Sequence, residues 1–184
     1  LAAGRRAKAN QPGCFVWGDS TDADVACVTQ DRFVARASGG VHLYTNSSLS
    51  TGAYLASGSG TWTSLSDREA KTDFEPVDPE AVLDCLAAMP VTTWRYREEP
   101  SGARHMGPMA QDFHACFGLG DSDRHIATID SDGVAFAAIQ GLNRQVEELR
   151  QRVTELTREN QEFRSRLERL ERTLADANSP PFPP

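Results

Sequence analysis

The chain has 184 residues, enough for one ordinary domain or two small ones. A hydrophobic fraction of 39% with a mean hydropathy of −0.47 is polar for a compact monomer and points to a core shared between copies. The net charge of −7 argues against nucleic acid as a partner, and no apolar run reaches the roughly 18 residues of a bilayer span, which argues against a membrane.

The charge falls into three blocks. Residues 1–65 carry 5 basic and 4 acidic side chains, residues 66–134 carry 6 and 14, and residues 135–184 carry 8 of each. The opening "LAAGRRAKAN" has no apolar run after its basic residues, so it does not read as a signal peptide; it reads as the trimmed end of a longer protein. Cys14, Cys27, Cys85 and Cys116 make no C-x-x-C pair and have no histidine at a zinc spacing, so they read as buried free thiols. No metal and no cofactor are called for.

Residues 1–65 read as a β-rich segment. "CFVWG", "DVACVT", "RFVARAS", "VHLYTN", "GAYLAS" and "GTWTSL" are short strands set apart by Gly, Ser, Asn and Asp. In "RFVARAS", Phe33 and Ala35 fall on one side and Val34 and Arg36 on the other. Such short, lightly apolar strands suit a stacked or intertwined β structure in which several chains share a thin core, although no strict repeat is visible. Trp17, Tyr44, Tyr54 and Trp62 offer faces on which a carbohydrate could stack, and core packing accounts for them equally well.

Residues 66–134 read as a small α+β unit. "DPEAVLDCLAAM" is a helix with Asp78 as N-cap, Pro79 at N1 and an apolar stripe of Val82, Leu83, Leu86 and Met89. "VTTWRYRE" reads as a strand with Trp94 and Tyr96 on one face, and "EPSGARH" as a turn. "GPMAQDFHACFG" is a short helix closed by Gly118, and "IATIDSDG" reads as a strand followed by a glycine turn.

From residue 135 to about 176 the pattern is a coiled coil. Ile139, Val146, Val153, Asn160, Leu167 and Leu174 occupy a positions, and Leu142, Leu149, Leu156, Phe163 and Leu170 occupy d. Five heptads are too long for a helix that packs only on its own small domain. The cross-chain g-to-e pairs Glu159–Arg164 and Arg166–Glu171 are complementary. The heptads admit two or three strands; an intertwined β segment favours three. A Pro-rich tail over 177–184 stops the helix.

At the first block boundary stands "TSLSDREAKTDFEP". Spacing alone makes it a solvated linker, because Ser66 and Lys71 would be about 500° apart on a helix and need a bend to meet. Its surroundings say more. "SDREAK", the Trp94–Tyr96 strand, "GPMAQD" and the heptad helix, in that order, resemble the intramolecular chaperone of endosialidases, the peptidase S74 domain, from about Leu65 to Leu156.

The resemblance implies a homotrimer at the C-terminus of a phage tail fibre, tailspike or bacterial surface fibre. The module would drive folding of the β-rich part before it and then cut itself off. Ser66 would attack the carbonyl of Leu65, with Lys71 as general base, so that the bond between Leu65 and Ser66 is the cleavage site. Asp67 would shape the turn, and Gln111 would support the site. Phe74 and Glu75 depart from the family pattern, which commonly has an aliphatic residue there. The expected fold class is therefore α+β: an intertwined trimeric β segment (1–65), a small α+β chaperone and autoprotease core (66–134) and a coiled-coil helix (135–176). The other reading is a trimerisation module that never cleaves, its upstream fibre binding carbohydrate.

Overall fold

The computed structural model describes residues 1–177; the Pro-rich tail expected to follow lies, from residue 178 on, outside the described residues. The chain packs as two compact units, one over 1–74 and the other from residue 75 on. The packing boundary falls after Phe74, whereas the compositional boundary falls after Leu65, so the Ser66–Lys71 stretch packs with the β-rich unit.

The first unit begins as a stack of parallel rungs. Strands β1 (Ala2–Gly4), β3 (Phe15–Gly18) and β5 (Phe33–Arg36) pair in parallel in that order, and β2 (Ala7–Ala9) pairs in parallel with β4 (Val25–Cys27). Ala2 stands beside Val16, and Phe15 beside Phe33. The stretches 10–14 and 28–32 that close successive rungs match in length, but the turn inside the rung is only Arg5–Arg6 in the first and residues 19–24 in the second. That insertion hides the repeat in the sequence, and it is why β1 and β2 go unnoticed in "LAAGRRAKAN". The longer turn is laced to the shorter by exposed ion pairs: Arg5 to Asp22, Arg6 to Asp22 and Asp24, and Lys8 to Asp24.

The core of the stack is thin. Val16, Cys27 and Cys14 are buried, with Ala7, Ala9, Val25 and Val34 packed around them. Burying a valine-sized side chain contributes about 2 kcal/mol, while ordering each residue costs about 1–2 kcal/mol of backbone entropy. So few buried side chains need a covalent tie or a partner. Here the expectation of free thiols is corrected: Cys14 and Cys27 are disulfide-bonded, and so are Cys85 and Cys116, with Cα atoms 6.3 and 6.1 Å apart. Chain spacing could not show this, because rung stacking in one unit and helix packing in the other bring the sulfurs together.

Outside the stack, the Phe15 and Phe33 rings lie parallel with centroids 5.1 Å apart, and Phe33 is 73% exposed. A parallel sheet is ordinarily covered on both faces; this one shows an aromatic ladder to solvent. The unit closes with an antiparallel meander of β6 (Gly40–Tyr44), β7 (Gly52–Ala56) and β8 (Trp62–Ser64).

Asp19 ties the stack at the corner after β3. Its carboxylate accepts from the Ser38 amide (2.8 Å), Arg36 Nε (2.8 Å) and the Thr21 amide (3.1 Å). Hydrogen bonding from Ser38 first, and then from Arg36, holds this carboxyl far below the usual range. A depressed carboxylate stabilises the fold above its unfolded pKa, and that contribution disappears as acid protonates it. The melting midpoint of the β-rich unit should therefore fall as pH drops below about 4. Asp19→Asn should lower the midpoint at neutral pH and flatten that acid dependence, as thermal melts across pH would record.

In the second unit, α1 (Pro79–Ala88) starts as expected: Asp78 caps it by accepting from the Glu80 amide at 3.0 Å, with Pro79 in the first turn. Strand β9 (Thr92–Trp94) pairs antiparallel with β10 (His105–Gly107), a strand that the sequence did not signal. Helix α2 (Ala110–Phe117) ends at Gly118 with φ of 64°. Met89, Phe113 and Val134 form the core, with Val82, Leu86, Phe117 and Ile126 against it.

Helix α3 runs from Thr128 to Ala177, so the strand expected at "IATIDSDG" is corrected to the first turns of this helix. Its β-branched residues are overruled by packing: Val134 and Ala138, four apart, face α1, and Asp130 suits the positive end of the helix. Gly141 lies where α1 crosses, and a Cβ there would meet the Pro79 carbonyl oxygen. The other face is bare. The a and d residues Ile139, Leu142, Leu149, Val153, Leu156, Phe163, Leu167, Leu170 and Leu174 are 40% to 65% exposed. Gly141→Ala improves helix propensity by about 1 kcal/mol, but the clash should cost about 1–3 kcal/mol. The expected net result is a lower urea midpoint for the helical signal.

Candidate functional site

The stretch between β8 and the second unit supplies the bend that the Ser66–Lys71 pair needs. Arg68–Ala70 forms a single 3-10 turn. Asp67 caps it, its Oδ1 accepting from the Glu69 amide at 3.0 Å. The turn is closed by the amides of Ala70 and Lys71, which donate to the carbonyls of Asp67 and Arg68. Lys71 then leaves in extended backbone, φ −128° and ψ 157°. This tight turn followed by an extended residue swings the lysine back over the serine: Lys71 Nζ donates to Ser66 Oγ at 2.7 Å.

Phe74 has a use here that its departure from the family pattern does not suggest. The Arg68 guanidinium carbon sits 5.5 Å from the centroid of its ring, a cation–π contact between the start of the turn and the chain that leaves it. Every residue from Thr61 to Asp78 is exposed, Ser66 and Lys71 among them. A lysine can act as a base only where burial or neighbouring cations take its proton away; in the single chain it is the donor.

Gln111, the other supporting residue expected from the sequence, belongs to the second unit. It is exposed in the first turn of α2 and lines a groove with Trp94, Tyr96, Met109, Arg124 and His125. Trp94, Tyr96 and His105 cluster there, with Trp94 4.9 Å from each of the other two rings. His105 Nε2 lies 2.9 Å from Glu99 Oε2, and this bond first, with Ser101 second, holds the Glu99 carboxyl below its usual range. Among the described residues no group of three or more His, Cys, Asp or Glu is placed to hold a metal ion.

Along the chain a β-rich body is followed by a hydroxyl–amine pair just after its last strand, a small α+β body and a long helix whose apolar seam is exposed. Residues 66–118 match the model of the peptidase S74 family, described as chaperone of endosialidase. The match opens on Ser66 and ends at the glycine that closes α2. No curated protein matches the chain.

The pair depends on the turn, and the turn on Asp67. Asp67→Ala should cost the cap about 1 kcal/mol. Hydrogen exchange at the Glu69 amide should then quicken while exchange in the β6–β8 sheet stays unchanged.

Proposed function

We propose that the chain is the C-terminal assembly module of a trimeric fibre, which folds with the β-rich segment and then releases itself by cutting between Leu65 and Ser66. The single observation that carries the reading is the 2.7 Å hydrogen bond between Lys71 and Ser66, at the first residues of the family match. Ser66 Oγ passes its proton to Lys71 Nζ and attacks the Leu65 carbonyl carbon. The bond from that carbon to the Ser66 nitrogen breaks, and the nitrogen takes the proton back from Lys71. An ester then links Leu65 to Ser66 Oγ. Water adds to it, freeing the Leu65 carboxylate and restoring the Ser66 hydroxyl. Asp67 keeps the turn in place, and Gln111 is a supporting residue.

Assembly is the natural gate. Covering Lys71 at a subunit interface would favour its neutral form and so arm the base. The bare a/d seam of α3 and the Phe15–Phe33 ladder are the two surfaces that copies of the chain would cover. Three strands suit a stacked β segment better than two. The two disulfides favour a fibre that ends outside the reducing cytosol, on a virion or a cell surface. The non-cleaving trimerisation module is the second reading, favoured by the exposure of Ser66 and Lys71 in the single chain. The proposal leaves carbohydrate as a ligand of the upstream fibre.

Wild type, Ser66→Ala and Lys71→Ala chains separated on a denaturing gel decide between the two. The wild type should yield a fragment beginning at Ser66, and both variants should stay whole. A wild type that assembles and never cuts would leave only the structural module. Native mass measurement should give three copies.

A further inference from the structure

The meander runs its register straight up to the proposed cut. Leu55 pairs with Trp62, Tyr54 with Thr63 and Ala53 with Ser64, so the next position on β8, Leu65, falls opposite Gly52. Gly52 is itself paired with Tyr44 across β6. The row is therefore Tyr44, Gly52, Leu65, with no side chain in its middle. None can be put there, because a Cβ on Gly52 would meet the Leu43 carbonyl oxygen. The result is a notch with an accessible volume of about 320 Å³, bordered by Tyr44, Leu49, Tyr54, Thr63 and Leu65. Period-two alternation puts Leu65 on the same face as Thr63, whose hydroxyl donates to the Tyr54 carbonyl at 3.1 Å and fastens β8 to β7. Though it follows the last strand residue, Leu65 is only 48% exposed.

The opposite wall is built under constraint. Leu49 has a left-handed backbone, φ 56°, which a leucine seldom adopts. Asn46 holds that loop: its side-chain oxygen accepts from the Ser50 and Thr51 amides at 3.0 and 3.1 Å. An unfavourable backbone kept at the edge of a cavity is a pointer to use rather than to stability.

We infer that this notch is the subsite that receives the side chain of residue 65 and so sets the specificity of the cut. The inference rests on the autoproteolytic reading. The pocket belongs to the β-rich part upstream of the family match, so the released product carries the recognition and the chaperone domain carries the chemistry. In the single chain Leu65 borders the notch, as Tyr44 and Leu49 do, and an apolar side chain at 65 that turns into it would hold its own carbonyl beside Ser66. The partner chemistry is an unbranched or γ-branched aliphatic side chain; a charged one would have to lose its hydration inside the notch.

The test uses the full chain and follows the fragment beginning at Ser66 by intact mass over time, with native mass as a check on assembly. Leu65→Met should cut at close to the wild-type rate. Leu65→Asp should be slower by roughly tenfold or more, the size of effect that a filled apolar subsite gives. Leu49→Gly removes the wall and relaxes the backbone, so it should slow the cut without lowering the melting midpoint. Cutting of Leu65→Asp and Leu49→Gly at the wild-type rate would overturn the subsite and leave the autoprotease intact. An assembled wild type that never cuts would overturn both. Should Leu65→Asp fail to assemble, Leu65→Ala against Leu65→Met makes the same comparison, and equal rates would overturn the subsite.

Discussion

Little apolar surface is buried within the chain, and that constraint runs through both of its units. In the β-rich unit the core is Val16 and a disulfide with small neighbours, and the sheet beside it turns Phe15 and Phe33 outward. In the second unit the core is three residues and their surroundings, while the long helix projects an apolar seam past them. The deficit is not spread evenly. It lies on a ladder of stacked rings and on a heptad stripe, two surfaces with a regular repeat, and regular repeats are what identical copies cover most easily.

Helix α3 makes the division of labour explicit. Val134, Ala138 and Gly141 face α1 within the chain, and Gly141 is a glycine because the α1 backbone passes too close for a side chain. Ile139 and Leu142, interleaved with them along the same turns, point elsewhere and stay exposed. One helix thus has two apolar faces, one packed on α1 and one exposed, with the intrachain contact confined to its first turns. Beyond them the side chains of the described helix are exposed, apart from Val146 and Glu159, which are half-buried.

The geometry at Ser66 is local in origin. Asp67 caps one short turn, Arg68 spans it to Phe74, and Lys71 arrives at the serine hydroxyl. None of this needs a distant residue, which is why a six-residue motif can persist at an exposed chain segment. The β-ladder on the other side of the Leu65–Ser66 bond is also short-range, since β7 and β8 are joined by one loop. The bond therefore stands between two locally determined structures, one holding the residue before it and the other holding the group after it.

Much of this was legible from the residues in order. The heptads, the Asp78–Pro79 helix start, the Gly118 stop and the six strands from Phe15 to Ser64 follow from periodicity and cap chemistry, which act within a few residues. The Ser66–Lys71 pairing needed the family resemblance, because spacing alone argued against it. What stayed hidden required contacts across the fold. The rungs of the stack are masked by the insertion at 19–24. The disulfides depend on which rungs and helices lie side by side, and β10 exists only because β9 is beside it. The helical start of α3 overrides β-branched residues through packing on α1. The notch beside Leu65 exists because cross-strand register, which the order of residues does not carry, sets a glycine between Tyr44 and Leu65.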